Sequence, residues 1–276
     1  MLVSNLSFKD YKALPGWGSG DLKSMRMGPP ARVLWDREHP RKDTDATILG
    51  TAAHCAILEP DRFDAVYVQK PAGMEYRSTE NKAWRDDHLA AGRVILAPDV
   101  WAHVQSIAAA FYGKPTAYRA ADGALGVETS MTWKDAETSE ECKGRPDFYD
   151  YEAVYDLKVT RDAGPRLAFK AYINGWFHQL AHYRSGLNAN GVEVRTGRII
   201  AIHPDAPHYV HCIEARIQDL DVMALENENT LKAMRACGIA GEWPGTPDTF
   251  ERVEIPQYAL QEAVATAEAE EVSDGI

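Results

Sequence analysis

Apolar positions recur at helical spacing through the first half of the chain and at strand spacing through its middle. Residues 20–37 (GDLKSMRMGPPARVLWDR) carry a helical pattern broken at Pro29-Pro30, where proline removes backbone donors. Residues 38–47 are polar and turn-like, and ILGTAAHCAILEP (48–60) reads as an apolar helix stopping near Pro60. Residues 61–79 look irregular, with one strand candidate at 65–69. Two helices follow near 80–91 and 98–112, the second opened by Pro98 and closed by Gly113. The period then shortens. GVETSMTWK (126–134), KGRPDFYD (143–150) and AVYDLKVT (153–160) have strand composition, the last two flanking a tight turn at Tyr151-Glu152. A long helix is predicted over roughly 165–187, closed by Asn188-Ala189-Asn190-Gly191. VRTGRIIAIH (194–203) and HYVHCIEARI (208–217) read as a hairpin, followed by helices at 218–236 and near 258–270. This order predicts an α/β fold with a mixed central sheet flanked by helices and an N-terminal helical elaboration. The expected organisation is one domain over 1–260 (helical segment 1–120, core 121–217, closing helices 218–260) and an acidic tail at 261–276.

Alternation along AVYDLKVT puts Asp156 and Lys158 on one strand face, roughly 7 Å apart, with Leu157 turned to the other side. A hairpin turning at 151–152 sets Asp147 opposite Asp156, with side chains about 5 Å apart. Carboxylates that close repel unless a cation sits between them. Hard oxygen ligands favour Mg²⁺ or Mn²⁺. Lys158 would then lie beside the ion, able to orient a water or to stabilise charge on a phosphate. The plain alternative is a surface hairpin with Asp and Lys on its solvent face. Against it stand Val154 and Leu157, apolar among the polar positions, and Pro146, out of place in a strand interior.

Charge complicates a nucleic-acid reading. The formal net charge is −11, which by itself argues against DNA binding. Some of that acid is confined to Glu262, Glu268, Glu270, Glu271 and Asp274, in a final stretch without Lys or Arg. DNA would need a local basic groove. Arg161, Arg166 and Lys170, just after the motif, are candidates for phosphate contacts or are simply solvated charges. Trp176 and Phe177 would stack on a frayed base or, more ordinarily for a helix beside a sheet, join the core. Cys55, Cys142, Cys212 and Cys237 are widely spaced with no C-x-x-C pair, which argues against zinc or an iron–sulfur cluster and suits a reducing, cytoplasmic compartment. The opening MLVSNLSFKDYK lacks a signal-peptide core, and no run of about 18 apolar residues predicts a membrane span.

The motif also resembles the PD-(D/E)xK nuclease superfamily, with Pro146-Asp147 as its first half and Asp156-Leu157-Lys158 as its second. More narrowly, the chain resembles RecE-type exonucleases. GDLKSMRMGPPARVLW is similar to their opening helix, although Gly18 and Gly20 stand where serines are usual. GTAAHCAILEP, VETSMTW, CKGRPDFYD, VYDLKVT and GWFHQLAHY follow in the family's order, so the likeness spans roughly residues 18–187. It implies that His54, Asp147, Asp156 and the Leu157 carbonyl hold the metal, and that Glu128 lies beside it. It further implies that Gln179 and Tyr183, which share one helix face, line the site. Without the likeness, His54 reads as a core histidine, Glu128 as a solvent-facing strand residue, and Gln179 with Tyr183 as an amphipathic boundary. The implied activity is 5′ to 3′ degradation of linear double-stranded DNA in phage-type recombination, using Mg²⁺ or Mn²⁺ and no iron–sulfur cluster. The implied assembly is a ring of three or four copies, encoded by a phage or prophage, with a RecT-type annealing protein as partner. A structure-specific or single-strand nuclease, and a non-catalytic DNA-binding module on the same fold, are the alternatives.

Overall fold

Proline and small polar residues punctuate the helical half. The computed structural model describes residues 1–250 except 41 and 43, together with 252, 254 and 257. A short strand β1 (Leu2–Val3) and helix α1 (Phe8–Ala13) precede α2 (Ser19–Met27) and α3 (Ala31–Glu38), which separate at the predicted Pro29-Pro30 break. Gly18 has no side chain with which to cap α2, so the Asp21 carboxylate accepts the Gly18 N–H at 2.8 Å instead. Helix α4 (Asp45–Leu58) starts at Thr44, whose hydroxyl accepts the Thr47 N–H. Pro60 then opens α5 (Pro60–Val66), which runs into β2 (Tyr67–Gln69). The expected irregular stretch thus opens with a helix, carries the anticipated strand at 67–69, and is irregular over 70–78. α6 (Thr79–Ala90), β3 (Val94–Leu96), α7 (Pro98–Tyr112) and α8 (Pro115–Asp122) complete this half, with β2 and β3 forming a small parallel pair.

The strand region departs from expectation in one consistent way. Both long strands are broken. The segment 126–134 is β4 (Gly126–Val127) and β5 (Ser130–Lys134); the next is β6 (Glu141–Gly144) and β7 (Phe148–Tyr149). β5 and β6 pair with β1 in a three-stranded antiparallel sheet. β4 and β7 belong to a five-stranded mixed sheet of order β10-β9-β8-β7-β4. In that sheet β8 (Ala153–Val159) lies parallel to β9 (Thr196–Ile202), and β10 (Val210–Ala215) closes a hairpin with β9. β7 pairs with β8 in the predicted register, Phe148 opposite Tyr155 and Tyr149 opposite Val154.

The predicted helix over 165–187 is also two elements, α9 (Leu167–Ile173) and α10 (Trp176–Ala189). They separate at Asn174-Gly175, where Gly175 adopts φ 73, a left-handed conformation that glycine takes without steric cost. α11 (Ile217–Ala240) is the last named helix.

Helices cover both faces of β8. On one face Phe148, Tyr155 and Leu157 pack with Ala53 and Ala56 of α4 and with Ile107 and Phe111 of α7. On the other, Tyr149 and Val154 pack with Leu180, Ala181 and Leu187 of α10 and with Leu220 and Met223 of α11. The exposed-hairpin alternative therefore fails: a parallel strand pair between helical layers is buried on both sides. The chain divides into a unit Met1–Pro244 and a unit Gly245–Ile276. The expected helix near 258–270 and the acidic tail at 261–276 lie outside the described residues. Among the described residues no helix is long and apolar enough to cross a membrane.

Candidate active site

The two strand breaks build the site. Between β4 and β5 the chain leaves the five-stranded sheet for the three-stranded one, and Glu128 stands at the crossing with φ 47. That conformation is costly for a residue with a side chain and persists only where its surroundings enforce it. Between β6 and β7 the chain crosses back through Arg145-Pro146-Asp147. The Glu128 N–H donates to the Asp147 carbonyl at 2.8 Å, tying the two crossings together.

Asp147 lies one residue before β7, at the end of the hairpin remote from its turn. Its Oδ2 accepts the Leu157 N–H at 2.5 Å and lies 3.7 Å from His54 Nδ1. Helix α4 delivers His54 from the Leu157 side of the sheet, and the ring takes a hydrogen bond to the Leu157 main chain. Ligand atoms of His54, Glu128 and Asp147 lie within 4.8 Å of one another. Asp156, expected in the same shell, is instead held by Lys158, whose Nζ is 2.7 Å from each carboxylate oxygen. Asp156 is 1% exposed, and both its oxygens face that ammonium.

From Lys158 the contacts run into α10. Lys158 Nζ lies 3.5 Å from Gln179 Oε1, and Gln179 Nε2 donates to the Tyr183 hydroxyl at 2.9 Å. The Trp176 ring centroid is 5.8 Å from the same ammonium. Tyr183 can sit so close to β6 because residue 144 is glycine: a Cβ there would fall 2.7 Å from Met131 Cε and 3.0 Å from Tyr183 Cδ1.

Electrostatics follow from crowding in a dry place. Burial and the charge of Asp147 push the Glu128 carboxyl up to about 7, against the pull of Arg145. Burial and Asp156 raise Asp147, while Lys158 and the Leu157 N–H oppose the rise. Burial, then Lys158, hold the His54 ring below its ordinary value, which favours the neutral, ligating form. Burial works against the Lys158 charge, but Asp156 and Asp147 outweigh it and its pKa stands above that of a free lysine. Tyr183 is pushed far up by burial and remains a phenol. One imidazole nitrogen and two carboxylates that repel each other form a donor set that fits a divalent cation, with the buried Asp156 carboxylate, paired with Lys158, beside them.

Sequence alone gives Arg145 no role. Its buried guanidinium donates to Glu128 Oε2 at 2.6 Å and to the Leu6 carbonyl at 2.8 Å. The one signal for it is an arginine directly before Pro146-Asp147, in a segment that otherwise reads as a buried strand. Arg161 and Lys170 pair with Asp205 and Asp162, Arg166 lies over Phe169, and none of the three touches the residues above. Trp176 and Phe177 pack partly into the second core, as expected of helix aromatics beside a sheet.

The family model described as "PDDEXK-like domain of unknown function (DUF3799)" matches residues 20–254. The chain belongs to that family. A crystal structure described as a "Putative exonuclease" from Eubacterium rectale shares the fold of this PDDEXK-like domain. Its TM-score is 0.55 over 94% of this chain and 98% of that one, at 12% identity. No curated protein matches the chain. The PDDEXK-like fold thus places Asp147 just before β7 and Asp156-Leu157-Lys158 on β8, with Glu128 brought in from the crossing between β4 and β5 and His54 from α4.

Proposed function

We propose that this PDDEXK-like domain is a divalent-metal-dependent nuclease that hydrolyses DNA phosphodiester bonds. What carries the reading is the clustering of His54, Glu128 and Asp147 ligand atoms within 4.8 Å, beside a lysine held on a buried carboxylate. His54, Glu128 and Asp147 would hold the cation, with Asp156 Oδ2 and the Leu157 carbonyl next to it. When bound, the cation supplies the charge that activates water and neutralises a phosphate. Lys158 presents an ammonium that stays protonated and donates to a phosphate oxygen as charge builds up there. Asp156 and Gln179 fix the direction of that ammonium, and Tyr183 fixes Gln179. Arg145 holds Glu128 in its left-handed conformation and keeps its carboxylate turned toward the cluster.

The finer reading is a RecE-type exonuclease acting 5′ to 3′ on linear duplex, with Mg²⁺ or Mn²⁺. It is supported by the order of the sequence motifs and by the description of the structural neighbour. A ring of copies around DNA, and an annealing protein as partner, belong to the same reading. Purified protein with Mg²⁺ should shorten end-labelled linear duplex, releasing the 5′ label first, spare closed circles and stop on chelation. Turnover undiminished by chelator, or by Lys158→Ala, would overturn the proposal.

A further inference from the structure

Apolar rings and cations stand together at several places on the described surface, and one of them, α9, comes just before Trp176 of the site in the chain. α9 buries Leu167 and Ala171 and turns Phe169, Tyr172 and Ile173 outward, at 52%, 54% and 47% exposure. These three are spaced i, i+3 and i+4, so they form one ridge. Arg166 and Lys170 fall on the same side, with the Arg166 guanidinium 5.6 Å from the Phe169 ring centre. Arg161, Arg166 and Lys170 stand against Asp205 and Asp162, which pair with Arg161 and Lys170, so a net positive charge of one remains here, with Arg166, in a protein of net charge −11. Only Asn174-Gly175 separates α9 from Trp176, which lies over Lys158.

We infer that α9 is a platform for single-stranded DNA next to the active site: Phe169 and Tyr172 stack on bases while Arg166 and Lys170 contact phosphates. The inference rests on the nuclease reading of that site and adds to it the state of the substrate, a strand already separated from its complement. Exposed rings alternating with cations suit stacked bases and a phosphate chain, and such stacking tolerates any sequence. A seven-residue helix, about 10 Å long, admits two or so bases. It is too small to supply the roughly 800 Å² per partner of a stable protein interface. Trp176 and Phe177, half-buried in the core, are the less available rings.

The test is binding of a fluorescent oligothymidylate by the full chain in chelator, where no cleavage occurs, followed by anisotropy. Phe169→Ala with Tyr172→Ala should weaken binding about tenfold or more, with an unchanged melting temperature because both rings are exposed. Tyr172→Phe keeps the stacking face and should bind as the wild type does. Tyr151→Ala removes a still more exposed ring (79%) at the far turn of the β7–β8 hairpin and should change nothing. Equal affinity of the double variant and wild type, or no binding by wild type, overturns the platform. So does a double variant that binds DNA normally but changes its sedimentation, since that would make the ridge a contact between copies. The measurement needs neither metal nor turnover. A failure of the nuclease reading, seen as full activity of Lys158→Ala, is therefore a separate result.

Discussion

The two faces of β8 are equally buried and differently made. One presents Ala153, Tyr155 and Leu157 to α4 and α7 and is held by apolar contact. The other presents Val154, then Asp156 and Lys158, to α10, and its charged pair is held by hydrogen bonds. Burying a charge without partners costs several kcal/mol, so the polar face needs a set of groups that fit one another: carboxylate, ammonium, amide and phenol in sequence. The other face needs mainly volume, with the Tyr155 hydroxyl donating to Asp150 and accepting from Arg198. One strand thus carries packing and the proposed chemistry on opposite faces, a single residue apart.

That separation can be broken from either side. The largest effect is expected from Lys158→Ala, which should lower turnover of linear duplex by about 10³-fold. The protein should stay folded by circular dichroism. Leu157→Ala, one position away on the other face, should instead cost about 3 kcal/mol of stability in urea unfolding, and the molecules that remain folded should keep their metal affinity. Next comes Arg145→Met, which frees Glu128 and should weaken Mn²⁺ binding about tenfold by calorimetric titration. The smallest change is Tyr183→Phe, which removes the hydroxyl accepting from Gln179 and should slow turnover roughly fivefold, about 1 kcal/mol. A Leu157→Ala protein with intact stability and lost chemistry would reverse the assignment of the two faces.

The β7–β8 register was legible because alternation and a two-residue turn fix it, and a slip of one residue would exchange the two faces. The helix break at Asn174-Gly175 had a turn signal, but apolar spacing ran on across it and suggested one helix. The sheet crossings at Glu128 and at 145–147 were not legible. Pro146 interrupts the second without saying where the chain goes, and nothing local in GVETSMTWK says that its two halves pair with different sheets. Arg145 was missed for the same reason: its partners, Glu128 and Leu6, are distant in sequence. Motif residues reveal themselves one by one, whereas the buried partner that positions them emerges only from topology.

The hydrogen bond from the Glu128 N–H to the Asp147 carbonyl has a consequence for divergence. It fastens the two crossings with main-chain atoms, so no side-chain replacement removes it, proline at 128 excepted. The spacing of the two backbone positions goes with the chain path, while the direction of the Glu128 carboxylate depends on Arg145. Geometry recorded in that way goes with the fold, which this chain shares with a structure at 12% identity.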